Sequence, residues 1–539
     1  ILSPGVADDA RIALSALPGV SVRYIEQSQS LAISVPGALL TATEIDARRN
    51  RQGSAIRPSS PISGFAFNYR LFGSAETGRN AGSQLSGDTE LVAMIPQGLI
   101  VSEGFFSTQR QREFVRGATF FRHEDIDRVR TYTAGDLITG AVSWSRSVRL
   151  GGLQVQSAFR QRPDIYTGPL PDFAGSAALP SSLELFADSV RVFSTQVPQG
   201  PFVLRSIPNV SGNELRIVTT DQAGRQTQIT TPYFNAPELL RKGLTEYSLE
   251  AGAPRTGIGV RSFGYGGRFF TSATLRHGLT DRMTVEGHLE SGSGLVNGGV
   301  GFVRALGPLG SLNASIAASR FEGRDGAKAT GQYRFDRRGF SLFASAEQEF
   351  GRYVDLGDVS SFRLRPRDPA APPAALREQR RSVQRIGVSL RPDFDPISLT
   401  ASYNRLKFGA LRTETANLSL RRRLNSQLTL TGDAVVDLGR RRDVGVTVGV
   451  NVRFGRDVSG FAEVERARGR TSYNAAITGF SGGRQNALGY SLAVRGDDDG
   501  NGVRSAALNY RFPEVFVAGA IDQAGDDVRG TLQLEGSFI

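Results

Sequence analysis

The chain has 539 residues, with 64 Lys and Arg against 52 Asp and Glu for a net charge of +12, and 39% of it is hydrophobic. No apolar run approaches the ~18 residues of a helical membrane span, which excludes a helical bundle in lipid but not a barrel, whose strands meet lipid only at every second residue. Cysteine is absent, so disulfides, thiolate metal sites and cysteine nucleophiles are excluded. The arginines recur along the chain, as in Arg421-Arg422-Arg423 and Arg440-Arg441-Arg442, and do not form one basic module, which argues against a nucleic-acid partner.

Residues 1–50 hold two short strand patterns, Val20–Tyr24 and Leu31–Val35, of a separate domain whose beginning is missing. The chain starts at Ile1 with no signal peptide, so an exported precursor is expected to be longer. Thr43 to Pro58 is polar and basic and reads as a connection, with the linker proper at 51–62. Residues 63–173 begin with the alternating segment Phe65–Tyr69, and the sheet continues near Leu91–Val101, Glu113–Arg122 and Val142–Phe159. At about 16–18 residues per strand and turn, this region holds about six strands.

Residues 174–234 change character. Short apolar runs, Ser182–Phe186, Arg191–Val197, Phe202–Ile207, Glu214–Thr220 and Gln226–Thr231, are broken by Pro and Gly, the spacing of a small β-sandwich. Such strands are too short to cross a bilayer with ease, so an inserted domain is predicted.

From 235 to 539 alternation dominates. Met283, Val285, Gly287 and Leu289 alternate with Thr284, Glu286, His288 and Glu290, and Val444, Val446, Val448, Val450 and Val452 with Gly445, Thr447, Gly449 and Asn451. Successive strand side chains point to opposite faces, so each segment has one apolar and one polar face. About 17–19 such strands fit this region. An open sheet of that size would be exceptional, whereas a closed barrel has no edges. The proline-rich stretch from Asp355 to Arg381 is read as a long surface loop. The predicted class is therefore all-β, a large transmembrane antiparallel barrel with an inserted sandwich.

Motifs for chemistry are weak. His123, His277 and His288 have no metal-ligand spacing, and no G-x-S-x-G, P-loop or H-E-x-x-H occurs. Asp497, Asp499, Asn501 and Gly502 match half a calcium loop, but Leu508 stands where the bidentate Glu belongs, so a hairpin turn is expected. Neither an enzyme nor a cofactor is indicated.

The order strands, sandwich, many strands, behind the tail of another domain, resembles the outer-membrane usher of chaperone–usher pilus systems. The likeness lies in Gly135-Asp136, Trp144-Ser145-Arg146 and Arg149–Leu153, then in Leu170-Pro171-Asp172-Phe173 leading into the sandwich. Inside it, Val197-Pro198-Gln199-Gly200-Pro201-Phe202, Ile207-Pro208 and Asp221-Gln222-Ala223-Gly224-Arg225 are similar to the family pattern. Pro237-Glu238-Leu239-Leu240-Arg241-Lys242-Gly243 and Tyr247–Gly252 look like the return to the barrel. The lead-in and compact sandwich look most like the archaic, spore-coat-U-like branch.

The resemblance implies a barrel of about 24 strands in the bacterial outer membrane. It implies that 1–50 is the end of a periplasmic N-terminal domain and that 174–234 is a plug. Val197, Pro198, Gly200, Pro201, Phe202, Ile207, Pro208, Asp221, Gly224 and Arg225 would then build the gate. Leu170, Pro171, Asp172, Phe173, Pro237, Leu239, Leu240, Arg241 and Gly243 would be its junctions. Implied partners are periplasmic chaperone–subunit complexes, pilus subunits, and outer-membrane lipid and lipopolysaccharide. A passive porin or transporter barrel is the alternative.

Overall fold

A computed structural model describes residues 21–25, 30–34, 43–46, 63–78, 81–109, 113–162, 164–169, 173–177, 181–187, 190–198, 200–205, 214–221, 226–232, 238–337, 339–362, 381–392, 396–409, 411–439, 443–455, 457–479 and 486–539. The chain divides into two units, residues 1–57 with 166–241, and residues 58–165 with 242–539.

The second unit is the barrel. Among the described residues, 24 antiparallel strands close on themselves, six from Gly64–Glu76 to Arg149–Ser157 and eighteen from Thr245–Pro254 to Asp527–Phe538. Two pairings are not between sequence neighbours. Asp527–Phe538 bonds to Gly64–Glu76 and closes the ring. Arg149–Ser157 bonds directly to Thr245–Pro254, so the wall is continuous across the insertion.

Burial in this wall is inverted relative to a soluble sheet. On Met283–Gly292 the polar Thr284, Glu286, His288 and Glu290 are buried, while Leu289 on the other face is half exposed. Register carries this face around the ring: Leu289 pairs with Ala273 and Gly298, Val300 with Gly287 and Ile316, and Val448 with Gly432 and Val464. A closed wall with an apolar exterior and a polar interior suits a bilayer, where no edge is left unpaired. Aromatics gather at the end holding both barrel termini, where Tyr69 stacks on Phe67 and Phe538, and Tyr510 lies against Phe512.

The first unit has two sheets. One has four strands in the order Val190–Val197, Ser181–Ala187, Glu214–Asp221, Gln226–Pro232. The other has three, Phe173–Ala177, Gly200–Arg205 and Thr43–Asp46. Leu183, Leu185, Phe193, Val197 and Ile217 from the first sheet pack on Ala177, Phe202 and Leu204 from the second. This is the alternation of a sandwich. A separate pair, Ser21–Ile25 with Ser30–Ser34, is antiparallel.

Three details of the sequence reading change. Thr43–Asp46, read as the start of a connection, is a strand that pairs in parallel with Gly200–Arg205, with Ile45 packed on the core. Val142–Phe159 is not one strand: Arg149–Ser157 is, and 139–148 turns away from the wall. Leu356–Phe362 is a short helix whose Leu356 and Val359 are buried, not part of a surface loop. The linker at 51–62, Arg440–Arg442 and the stretch 363–380 lie outside the described residues.

Candidate functional site

The densest polar cluster lies on the lumen face of the barrel, under the segment 139–148 and the helix Leu356–Phe362. The segment is a closed loop, with Thr139 N donating to Val148 O at 2.9 Å and Val148 N to the Thr139 hydroxyl at 2.9 Å. It folds inward because lumen-facing strand residues hold it. Gly140 N donates to Glu250 Oε1 at 2.8 Å, the Thr274 hydroxyl to Gly140 O at 3.2 Å, and Trp144 Nε1 to Glu286 Oε2 at 3.2 Å. The Trp144 ring meets His288 edge-on at 6.0 Å and is buried with Val142, Ala317 and Tyr353. Two glycines make room for it: a Cβ at Gly299 or Gly301 would stand 2.8 or 2.6 Å from the indole.

The helix is fixed by its N-terminus. Asp355 Oδ1 accepts from Asp358 N at 3.0 Å and Asp358 Oδ2 from Asp355 N at 3.3 Å, a reciprocal cap. Leu356 N donates to Glu290 Oε2 at 2.8 Å, and the same carboxylate takes Asn297 Nδ2 at 2.8 Å, with His288 Nε2 3.1 Å from Oε1. Leu356 and Val359 pack on Leu137, Val148, Leu150, Phe270 and Leu295. Arg146, from the loop, grips Asp355 through both nitrogens and lies 2.6 Å from Asp358.

Burial alone would raise the Asp355 carboxyl, but the Arg146 guanidinium overrides it and holds Asp355 below the usual aspartate value. Asp358 goes the other way: burial and the charge of Asp355 push it up. Burial raises the Tyr353 phenol as well, which keeps it protonated. In a second acidic chain, Arg276 lies between Glu246 at 2.6 Å and Glu286 at 3.1 Å and offsets part of the negative charge beneath Trp144. The arrangement fixes the loop and the helix against the wall. Among the described residues, no group of three His, Cys, Asp or Glu could hold a metal. Asp497 accepts from Asp499 N and Asn501 N, so the half calcium loop is a hairpin turn.

The residues expected in the sandwich are partly brought together. Val197 and Phe202 are both buried in its core, on opposite sheets, with Pro198 exposed between the strands they belong to. Gly200 and Pro201 open the strand Gly200–Arg205, Phe173 pairs with Leu204, and Asp221 with Ser181. Leu239 and Leu240 are buried, and Arg241 N donates to Thr167 O at 2.8 Å. Gly243 has φ +80, a left-handed conformation that explains glycine there. Ile207, Pro208, Gly224, Arg225, Leu170, Pro171, Asp172 and Pro237 lie outside the described residues.

The lumen cluster was missed as a unit. Its signal was Trp144-Ser145-Arg146, the sole tryptophan beside an arginine, and the acidic face of Met283–Gly292 with glutamates where other strands carry Thr or Asn.

Residues 128–343, which include most of this cluster, match the family profile described as outer membrane usher protein. The Escherichia coli K12 outer membrane usher protein FimD is 29% identical over 202 residues, 37% of this chain and 22% of its own length. The Escherichia coli outer membrane usher protein FaeD is 24% identical over 565 residues, 98% of this chain and 64% of its own length. The chain thus spans less than two thirds of the length of these relatives. The P pilus usher PapC translocation pore shares the fold with TM-score 0.56 and 17% identity, covering 88% of this chain and 99% of that one. The cryo-EM structure of an Escherichia coli P pilus tip assembly intermediate, PapC-PapD-PapK-PapG, aligns with TM-score 0.67 and 18% identity over 97% of this chain and 66% of that one. The apolar-outside, polar-inside barrel agrees with these matches, and residues 128–343 carry the pattern of the outer membrane usher protein family.

Proposed function

We propose that this barrel is a secretion pore for pilus subunits, which periplasmic chaperones deliver, and a platform for their assembly into a fimbria. The observation that carries the reading is the insertion, between hydrogen-bonded wall strands Arg149–Ser157 and Thr245–Pro254, of a chain segment that with Thr43–Asp46 forms two sheets around one core. A passive channel has no need of such a domain. In this reading residues 174–234 are a plug that closes the lumen at rest and is displaced by an arriving chaperone–subunit complex. Val197 and Phe202 act by keeping the plug rigid, and the junction residues Leu239, Leu240 and Arg241 by fixing where it leaves the wall. The complex PapC-PapD-PapK-PapG, named for a pilus tip intermediate, supports the choice of partner class. Subunits would be joined by strand addition, which requires neither nucleotide nor covalent catalysis by the pore. The Leu170–Phe173 lead-in supports the archaic branch within this proposal.

The test is single-channel conductance of the refolded chain with and without 174–234. A nearly silent intact protein and a large, stable pore after deletion support the plug. Unchanged conductance makes the segment something other than a gate and favours a porin.

A further inference from the structure

The connection from Arg255 to Phe269 lies on the outside of the barrel wall, at the end opposite the two barrel termini. Its position follows from strand alternation. Gly151 shares a face with the lipid-side Leu153, and a side chain at Gly151 would collide with the Tyr265 ring. Under this strap sits Asp136, whose register partner is Gly151. Its side chain is only 4% exposed. Arg116 Nη1 donates to it at 2.9 Å, Tyr265 Oη at 2.7 Å and Thr119 N at 2.8 Å, while the fully buried Arg255 lies 3.2 Å away. Arg116 and Arg255 also hold Ser262 O, at 3.1 and 2.8 Å. A carboxylate on a lipid-facing wall is costly unless covered and paired, so the strap has a fixed seat.

The Arg116 guanidinium lies over the Phe263 ring at 4.8 Å, and the strap otherwise turns apolar groups outward. Val260, Phe263 and Phe269 are exposed, Phe263 by 75%, and the exposed Arg261 and Arg268 flank them. These apolar groups continue the lipid-facing face of Ile138 and Leu153 to the rim of the wall. Aromatic and arginine side chains side by side at such a rim suit the boundary between acyl chains and charged headgroups.

We infer that the strap Arg255–Phe269 is a binding site for an anionic membrane phospholipid, with Phe263 among the acyl chains and Arg261 and Arg268 on the net negative headgroup. The lipid, not free phosphate, is the ligand, because the apolar half of the surface has no use for a soluble anion.

The experiment uses the full chain carrying Phe263→Trp, reconstituted in phosphatidylcholine vesicles with a tracer of brominated phosphatidylcholine or brominated phosphatidylglycerol. The native Trp144 faces the lumen and contributes the same background in every arm. Residue 263 should be quenched by both tracers, more strongly by phosphatidylglycerol. Arg261→Gln with Arg268→Gln should remove that excess, about fivefold in lipid preference for each arginine. Added inorganic phosphate should leave the excess in place. Equal quenching by the two tracers, loss of the excess to inorganic phosphate, or quenching by aqueous iodide instead of lipid would overturn the inference. Phe269→Trp is a second reporter, read by the same outcomes, if the first variant does not refold.

Discussion

Two stretches of the wall, Met283–Gly292 and Val444–Arg453, share one outward pattern and differ inward. Both present alternating apolar residues to lipid, Leu289 in one and Val448 in the other. Inside, the first carries Thr284, Glu286, His288 and Glu290, all buried, and the second Gly445, Thr447, Gly449 and Asn451, with Asn451 exposed. The loop 139–148 and the helix Leu356–Phe362 cover the first, so its acids are desolvated and must be paired. The loop and helix do not reach the second, whose Thr447 is half-buried and whose Asn451 is exposed. The outward residues of a barrel strand report only the bilayer; the inward ones report what fills the pore.

The two stretches differ most at Glu290. Glu290→Leu strands the buried Asn297 amide and Leu356 N–H, and at about 1–3 kcal/mol for each abandoned donor should lower the heating midpoint of the folded band in gel-shift assays far more than Asn451→Leu. Equal effects would mean that the covering loop and helix add nothing to the wall. Next comes Val448→Lys, which tests the shared exterior: a cation at mid-bilayer costs about 2–4 kcal/mol, seen as loss of folded yield in vesicles.

The aspartate pair makes the covered stretch respond to pH. Asp355 is depressed, so its contribution is present above the ordinary aspartate range and fades as pH falls through its folded value, below about pH 4. Asp358 is raised, so its contribution is present at low pH and is lost as pH rises through its folded value. At neutral pH, Asp358→Asn should leave protease protection of 139–148 intact or improve it. Asp355→Asn should expose the loop, since Arg146 loses its bidentate partner, and protection in the native chain should fall below about pH 4. The smallest effect expected is Thr447→Val, within about 0.5 kcal/mol, because Thr447 is only half-buried, between its register partners Asp433 and Glu465; chemical denaturation in detergent would show it.

The wall was legible in the sequence because its signal is local. Period-two alternation in Val444–Val452 or Ile397–Tyr403 identifies a strand without knowledge of its partners, and about six with about eighteen strands is what the structure has. What failed was non-local. Thr43–Asp46 has one apolar residue in four and becomes a strand only by meeting Gly200–Arg205. Leu356–Phe362 is too short for helical periodicity and is held by a cap and by Glu290, sixty-six residues away in sequence. The segment 139–148 has enough Val and Trp to pass for a strand; its inward fold depends on Glu250 and Glu286, which the local pattern does not reveal. Within the sandwich, Val197 and Phe202 were found because a core residue beside a Pro-Gly turn is a local signal too.

The seam between Asp527–Phe538 and Gly64–Glu76, where Arg70 Nε reaches Glu535 across a separation of 465 residues, sets the order of events in assembly. Until the last strand arrives, the first presents a full row of unpaired amides and carbonyls, an aggregation-prone edge. The wall can grow by one hairpin after another, but the ring itself is completed in a single late step whose rate depends on two ends finding each other.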